Sequence, residues 1–113
     1  MSRILIDSES PQIFAEELLI AEQLNERMKG LLGRRSLAPE SALLIRPCRS
    51  IHMWFMHFPI DAAFLDADLR VLKISRGLRP WQLAIAPGGT HCVLETATGV
   101  LDGIAVDERL RLK

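Results

Sequence analysis

Residues Pro47 to Asp61, "PCRSIHMWFMHFPID", bring together Cys48, His52, Met53, Met56 and His57. Thiolate, imidazole and thioether are the ligands of a soft metal such as copper(I), or of zinc with fewer of them. The spacing opposes that chemistry. The stretch is rich in aromatic and large apolar residues and ends at Pro59, the pattern of a strand. On a strand, residues two apart share a face at about 7 Å and residues four apart stand about 13 Å apart. His52, Trp54, Met56 and Phe58 then fall on one face, and Met53, Phe55 and His57 on the other. Cys48, His52 and Met56 share parity but are too widely spaced for one ion unless the chain bulges. A metal site would need a ligand from another strand, such as His91 or Cys92, and the chain has no C-x-x-C pair. No metal site is expected, and Met53 and Met56 read as core packing.

Three other chemistries are available. Cys48 or Cys92 could supply a thiolate, with His52, His57 or His91 as its base. Arg46 and Arg49 flank Cys48 and favour its thiolate, but neither cysteine precedes a helix N-terminus that would do the same. Cys92 lies in "HCVLE", where alternation puts it on one face with Leu94 and opposite Val93, as a buried small apolar residue. Acid–base work needs two carboxyl groups in unlike environments, and Asp61 and Glu95 each close an apolar strand. Their structural reading is that each accepts backbone N–H bonds at a turn or pairs with an arginine, Arg27 or Arg34. Finally, "RGLRPW" sets Arg76 and Arg79 beside Trp81. Guanidiniums near an exposed indole bind anions, flat ligands or single-stranded nucleic acid, although Trp81 could equally cap the core.

The elements that must position these groups come next. A chain of 113 residues is expected to be a single domain, residues 1–113, with 1–11 frayed. No apolar run approaches the ~18 residues of a membrane helix, and "MSRILIDSES" is no secretory leader. These features place the protein in the cytoplasm, with its cysteines reduced. Residues 1–26 carry six acids and one base, and residues 27–58 carry six bases and one acid. Two such segments packed together cancel each other's field. With overall neutrality and no nucleic-acid motif, nucleic acid is not an expected partner.

"IFAEELLIAEQL" fits either a helix or, through "LLIA", a short buried strand. "NERMKGLLGRR" reads as a helix capped by Asn25, with Met28, Leu31 and Leu32 on one face and Gly33 at its left-handed end. After Pro39 the segments shorten. "ALLIRPC", "IHMWFMHF", "DAAFLD", "RVLKIS", "QLAIA", "HCVLE" and "ERLRLK" are mostly separated by turn signals, the pattern of a small antiparallel sheet or barrel. "DAAFLDADLRVLKIS" reads as one hairpin, and "APGGT" can turn another. "ERLRLK" alternates as an edge strand with Leu110 and Leu112 inward, and "TATGVLDGI" as one helical turn or a wide loop.

"NERMKGLLGR", "LLIRPCRSIHMWFMHFPIDAAFLD", "LRPW" and "VLETATG", in this order and spacing, resemble the domain of unknown function 192 family over about Leu18 to Leu112. The resemblance implies a compact β-rich domain with one or two short helices around a distorted barrel, and it favours "LLIA" as strand. It carries no established activity, so no residue inherits a catalytic role. Arg27, Gly30, Leu31, Arg34, Met56, Pro59, Asp61, Glu95 and Gly99 fall on positions of the family pattern. Cys48 and His52 resemble a branch with a "PC…IH" run. His57 and Asp107 depart from the pattern, the latter where Gly-Asp is common.

The expected fold is α+β, mainly β: a compact antiparallel distorted barrel of short strands with one or two short helices. The expected function is a binding or accessory module for a small ligand or protein partner. Its pocket or face would lie near residues 48–61, 76–81 and 95, with Cys48, His52, Met56, Asp61, Arg79, Trp81 and Glu95 as wall residues. The alternatives are a small enzyme using Asp61 and Glu95 or Cys48 and His52, and a copper or zinc binding protein. No cofactor is assigned.

Overall fold

Strand-forming sequence dominates the computed structural model, which describes residues 2–6, 13–21, 41–46, 50–52, 58–79 and 82–112. The elements are β1 (Ser2–Ile6), β2 (Ile13–Ala21), β3 (Ser41–Ile45), β4 (Ser50–His52), β5 (Ile60–Leu65), β6 (Val71–Leu78), β7 (Leu83–Ile85), β8 (Cys92–Thr96), a 3-10 turn (Val100–Gly103) and β9 (Leu110–Leu112). "IFAEELLIA" is therefore strand, longer than the "LLIA" that the resemblance favoured. Among the described residues the 3-10 turn is the one helical element, so their regular structure is mostly antiparallel β-sheet with almost no helix. The helix expected over Asn25–Arg35 lies outside the described residues, as do residues 53–57 of the expected long strand.

Seven strands form one sheet in the order β6-β5-β8-β3-β2-β1-β9, and β4 pairs with β7 in a second. All pairings are antiparallel except β2 with β3, which run parallel from Glu17↔Ser41 to Ala21↔Ile45. The expected barrel is not closed. Its free edges, β6 and β9, touch at the single bridge Arg70↔Arg109, beside which Val71 N–H donates to Glu108 O and Leu110 N–H to Leu69 O.

The β5–β6 hairpin forms as its sequence predicts. Asp66 Oδ1 accepts the N–H groups of Asp68 and Arg70, each at 2.9 Å, and Leu69 turns the chain at φ 67°. This is a turn followed by a left-handed residue, a common hairpin closure. "APGGT" also turns the chain, with Thr90 N–H and Oγ both donating to Pro87 O. It makes no hairpin, however, because β7 pairs with β4 whereas β8 pairs with β3 and β5. Turn chemistry reverses a chain locally and does not choose the partner of the strand that follows.

β5 is buried along its whole length, because both of its faces are covered. Leu43, Ile45, Ile60, Ala62, Phe64 and Val93 pack on the first face with Phe58, Leu78 and Ala84 of β7. Ala42, Leu44, Ala63, Leu65, Cys92 and Leu94 pack on the second with Leu101, Ile104 and Leu110. Each large side chain fully buried here, such as Phe64 or Leu44, stabilises the fold by about 1.5–3 kcal/mol. Leu110 points inward at 1% exposure and Arg111 outward, as alternation requires of an edge strand.

Candidate functional site

Asp61 opens β5 opposite an irregularity in β6. Ile60 pairs with Leu78 and Ala62 with Ser75, so Arg76 and Gly77 together face Asp61. Gly77 adopts φ 62°, a conformation glycine reaches without steric cost. Such a bulge takes an N–H out of the ladder and leaves it to find another acceptor. Asp61 supplies it: Oδ1 accepts Gly77 N–H at 2.7 Å, while Oδ2 accepts Gly99 N–H at 2.9 Å. Gly99 also has a left-handed backbone, φ 90°, and caps the 3-10 turn. The carboxylate, 2% exposed, thus ties β5 to the β6 bulge and to the segment after β8. Its described partners are these two amides, rather than Arg27 or Arg34, which lie outside the described residues.

Glu95 lies on the other side of the sheet. Asp61 pairs with Thr96 and Ala62 with Glu95, and directly opposed residues share a face. Asp61 therefore points to the second face, with Ala63 and Leu65. Glu95 points to the first, in a cross-strand row Leu43–Glu95–Ala62. It is fully buried, at 0% exposure. A carboxylate in such a place demands hydrogen bonds or a counter-charge.

Register brings several expected wall residues to one end of the molecule. The start of β5, the end of β6 and the end of β8 meet there. Arg79 follows β6, is exposed, and its N–H donates to Gln82 Oε1 at 2.6 Å. That turn leads into Leu83, whose backbone pairs with His52. Arg76 does not join a basic face with Arg79, since its guanidinium bonds Asp102 of the 3-10 turn at 2.7 Å. Cys48, Met56 and Trp81 lie outside the described residues, so the thiol, thioether and indole parts of the expected wall are not placed.

Cys92 is buried on the second face beside Leu94, with Sγ 4.0 Å from Asp66 O, as its alternation predicted. The sequence reading overlooked Gly77 as an amide donor to Asp61, and the Arg76–Asp102 pair. A glycine inside an alternating strand was the available signal for the bulge. It also overlooked a shallow hollow of about 520 Å³ lined by Ala67 and residues 86–91, at the hairpin end of β5.

A family model, DUF192, described as "Uncharacterized ACR", matches residues 5–112. A UPF0127 protein of Thermococcus sibiricus is 32% identical over 107 residues, a match covering 88% of this chain and 66% of that protein. This chain thus spans just under two thirds of that relative. A UPF0127 protein of Pyrococcus horikoshii is 31% identical, with 88% and 90% covered. Among solved structures, a protein of unknown function from Novosphingobium aromaticivorans superposes with a TM-score of 0.81 at 24% identity, over 96% of this chain and 83% of that one. A Sinorhizobium meliloti protein, described as a candidate transcription regulator, gives 0.74 at 24% identity over 97% and 90%. These two likenesses show a shared fold. Among the described residues, no helix is long and apolar enough to cross a membrane.

Proposed function

The chain belongs to the DUF192 family, and on that premise we propose that it is a binding or accessory module for a small ligand or protein partner. Its binding face lies at the end of the sheet where Arg79, the His52 backbone and Glu95 gather, with the Cys48–His57 segment and Trp81 as the remaining wall. The observation that carries this reading is the placement of the two buried acids on opposite faces of the sheet. Paired general acid and base would have to reach one substrate from one side. Asp61 instead spends both oxygens on backbone amides. Glu95 is fully buried on the face toward β7 and has a partner of its own, suited to shaping the wall behind a ligand rather than to exchanging protons with Asp61. The cysteine of the described region, Cys92, sits in the core, which further favours binding over nucleophilic chemistry.

A thermal-shift screen of small ligands, anions and metals on the purified protein tests this. A ligand of the folded state at 100 times its Kd adds about 2.7 kcal/mol, a rise on the order of 10 °C for a domain of this size. The expected result is a ligand that raises the melting temperature of the wild type and not of Glu95→Gln. A response unchanged in Glu95→Gln overturns the assigned face. No response to any compound rejects the small-ligand form of the reading and leaves the protein-partner form.

A further inference from the structure

We infer that Asp102–Gly103 is a backbone modification site, at which aspartate isomerises to isoaspartate through a cyclic imide while the protein is folded. Of the aspartates in the chain, Asp102 alone is followed by glycine. The reaction brings the amide nitrogen of the following residue onto the aspartate Cγ, and a following side chain obstructs that approach. Glycine has no side chain and gives the backbone its widest conformational range.

The surroundings of Asp102 meet the other needs of the reaction. The attacking nitrogen must be unpaired. Asp102 N–H donates to Gly99 O and Ile104 N–H to Leu101 O, whereas Gly103 N–H has no acceptor among the described residues. The carboxyl group must be open to water, and the Asp102 side chain is 70% exposed. The ring also needs room, and a Cβ at Gly103 would meet nothing within 4 Å.

A five-membered imide fixes the aspartate ψ far from its helical value, so the turn must open first. It is a single 3-10 turn of four residues. Its bonds are long, at 3.3 Å from Val100 N–H to Ala97 O and 3.2 Å from Asp102 N–H to Gly99 O. Hydrogen-bond geometry is poor in such turns, and exposed segments open locally at free energies well below that of global unfolding. Arg76 restrains the opening through its 2.7 Å bond to Asp102 Oδ1, and Asp61 does so by holding Gly99 N–H at 2.9 Å. These two contacts are the brakes on the reaction.

The chemistry balances without an oxidant or a cofactor. Gly103 N bonds to Asp102 Cγ and loses its proton, and the carboxyl oxygen leaves as water. A second water opens the ring. Breaking the N–Cγ bond restores aspartate. Breaking the original peptide bond instead leaves the chain running through Cγ, with one extra methylene in the backbone and the carboxylate on the former main-chain carbon. The mass is unchanged. The Arg76 pair is lost, and the lengthened backbone lies between Leu101 and Ile104, both buried in the second-face core.

The test ages the native full chain at neutral pH in heavy-oxygen water and follows its peptides by chromatography and mass spectrometry. The peptide holding residues 102–103 should split into two species that have each gained heavy oxygen, while those holding Asp66, Asp68 and Asp107 stay single. Gly103→Ala, at a position with open space and no positive φ, should abolish the second species. Arg76→Gln should speed its formation by up to about fivefold, the factor that an exposed ion pair of about 1 kcal/mol represents. A second species that forms only in the urea-denatured chain overturns the proposal. So does equal isomerisation at the other aspartates, or a rate unchanged by Gly103→Ala.

Discussion

Asp61 and Gly99, 38 residues apart, are joined by a 2.9 Å hydrogen bond from the glycine amide to a buried carboxylate. The same carboxylate holds Gly77 with its other oxygen. Three segments therefore depend on one side chain. Hydrogen bonds to a charged group contribute about 1.5–3 kcal/mol each. Asp61→Ala removes two and leaves two amides without their acceptor, so urea denaturation should show a loss of about 3–5 kcal/mol. Asp61→Asn keeps one acceptor oxygen, and its loss should be roughly half as large.

Gly77 and Gly99 are needed for their backbone conformation, since neither site would crowd an added Cβ within 3.4 Å. Alanine at φ 62° or 90° should cost about 1–2 kcal/mol at each. A double-mutant cycle of Asp61→Ala with Gly99→Ala should show a clear coupling, because the second change is felt less once the first has released the loop. Strict additivity would show that the bond does not hold the loop.

The Arg76–Asp102 pair spans the same two segments on the outside, with side-chain exposures of 45% and 70%. An exposed pair of this kind contributes about 0–1 kcal/mol and is screened by salt. Arg76→Ala should therefore lower stability by less than about 1 kcal/mol, and the difference from wild type should vanish in molar salt. Equilibrium unfolding at two salt concentrations measures both.

Asp107 is exposed and left-handed at φ 78°. Replacing it with glycine relieves that conformation but adds freedom to the unfolded chain, and the terms differ in sign. The expected net is a gain of a few tenths of a kcal/mol, read as a small rise in melting temperature. A clear loss would show that the aspartate side chain stabilises the corner.

Cys92 is 1% exposed. In a Cys48→Ser background, a thiol reagent should label Cys92 at the rate of local or global opening, and rapidly once denaturant is added. Fast labelling of the native protein would contradict its place in the core.

How far these relationships were legible in the sequence depends on their range. Leu110 inward, Cys92 with Leu94, and the Asp66 hairpin follow from alternation and turn residues a few positions apart. The parallel pairing of β2 with β3 could not be read, because nothing in "LLIA" or "ALLI" encodes which strand lies beside it. β5 hides its faces for another reason: with both covered, "IDAAFL" loses the apolar–polar alternation that marks a half-buried strand. The separation of Asp61 from Glu95 needed the register Ala62↔Glu95, a long-range fact. Backbone amides and arginines were both open as partners for Asp61, and the bulge at Gly77 decided for amides through a need for an acceptor that charge does not reveal.

β9 lies against β1, pairing Ile4 with Leu112, and shields an edge formed by the first residues of the chain. During synthesis that edge is made early and covered only after residue 110 has left the ribosome. Between the synthesis of β1 and that of β9 the nascent chain thus carries an open strand able to pair with a neighbour. The large sheet is completed only when β9 emerges, and chaperone dependence should be set by that delay.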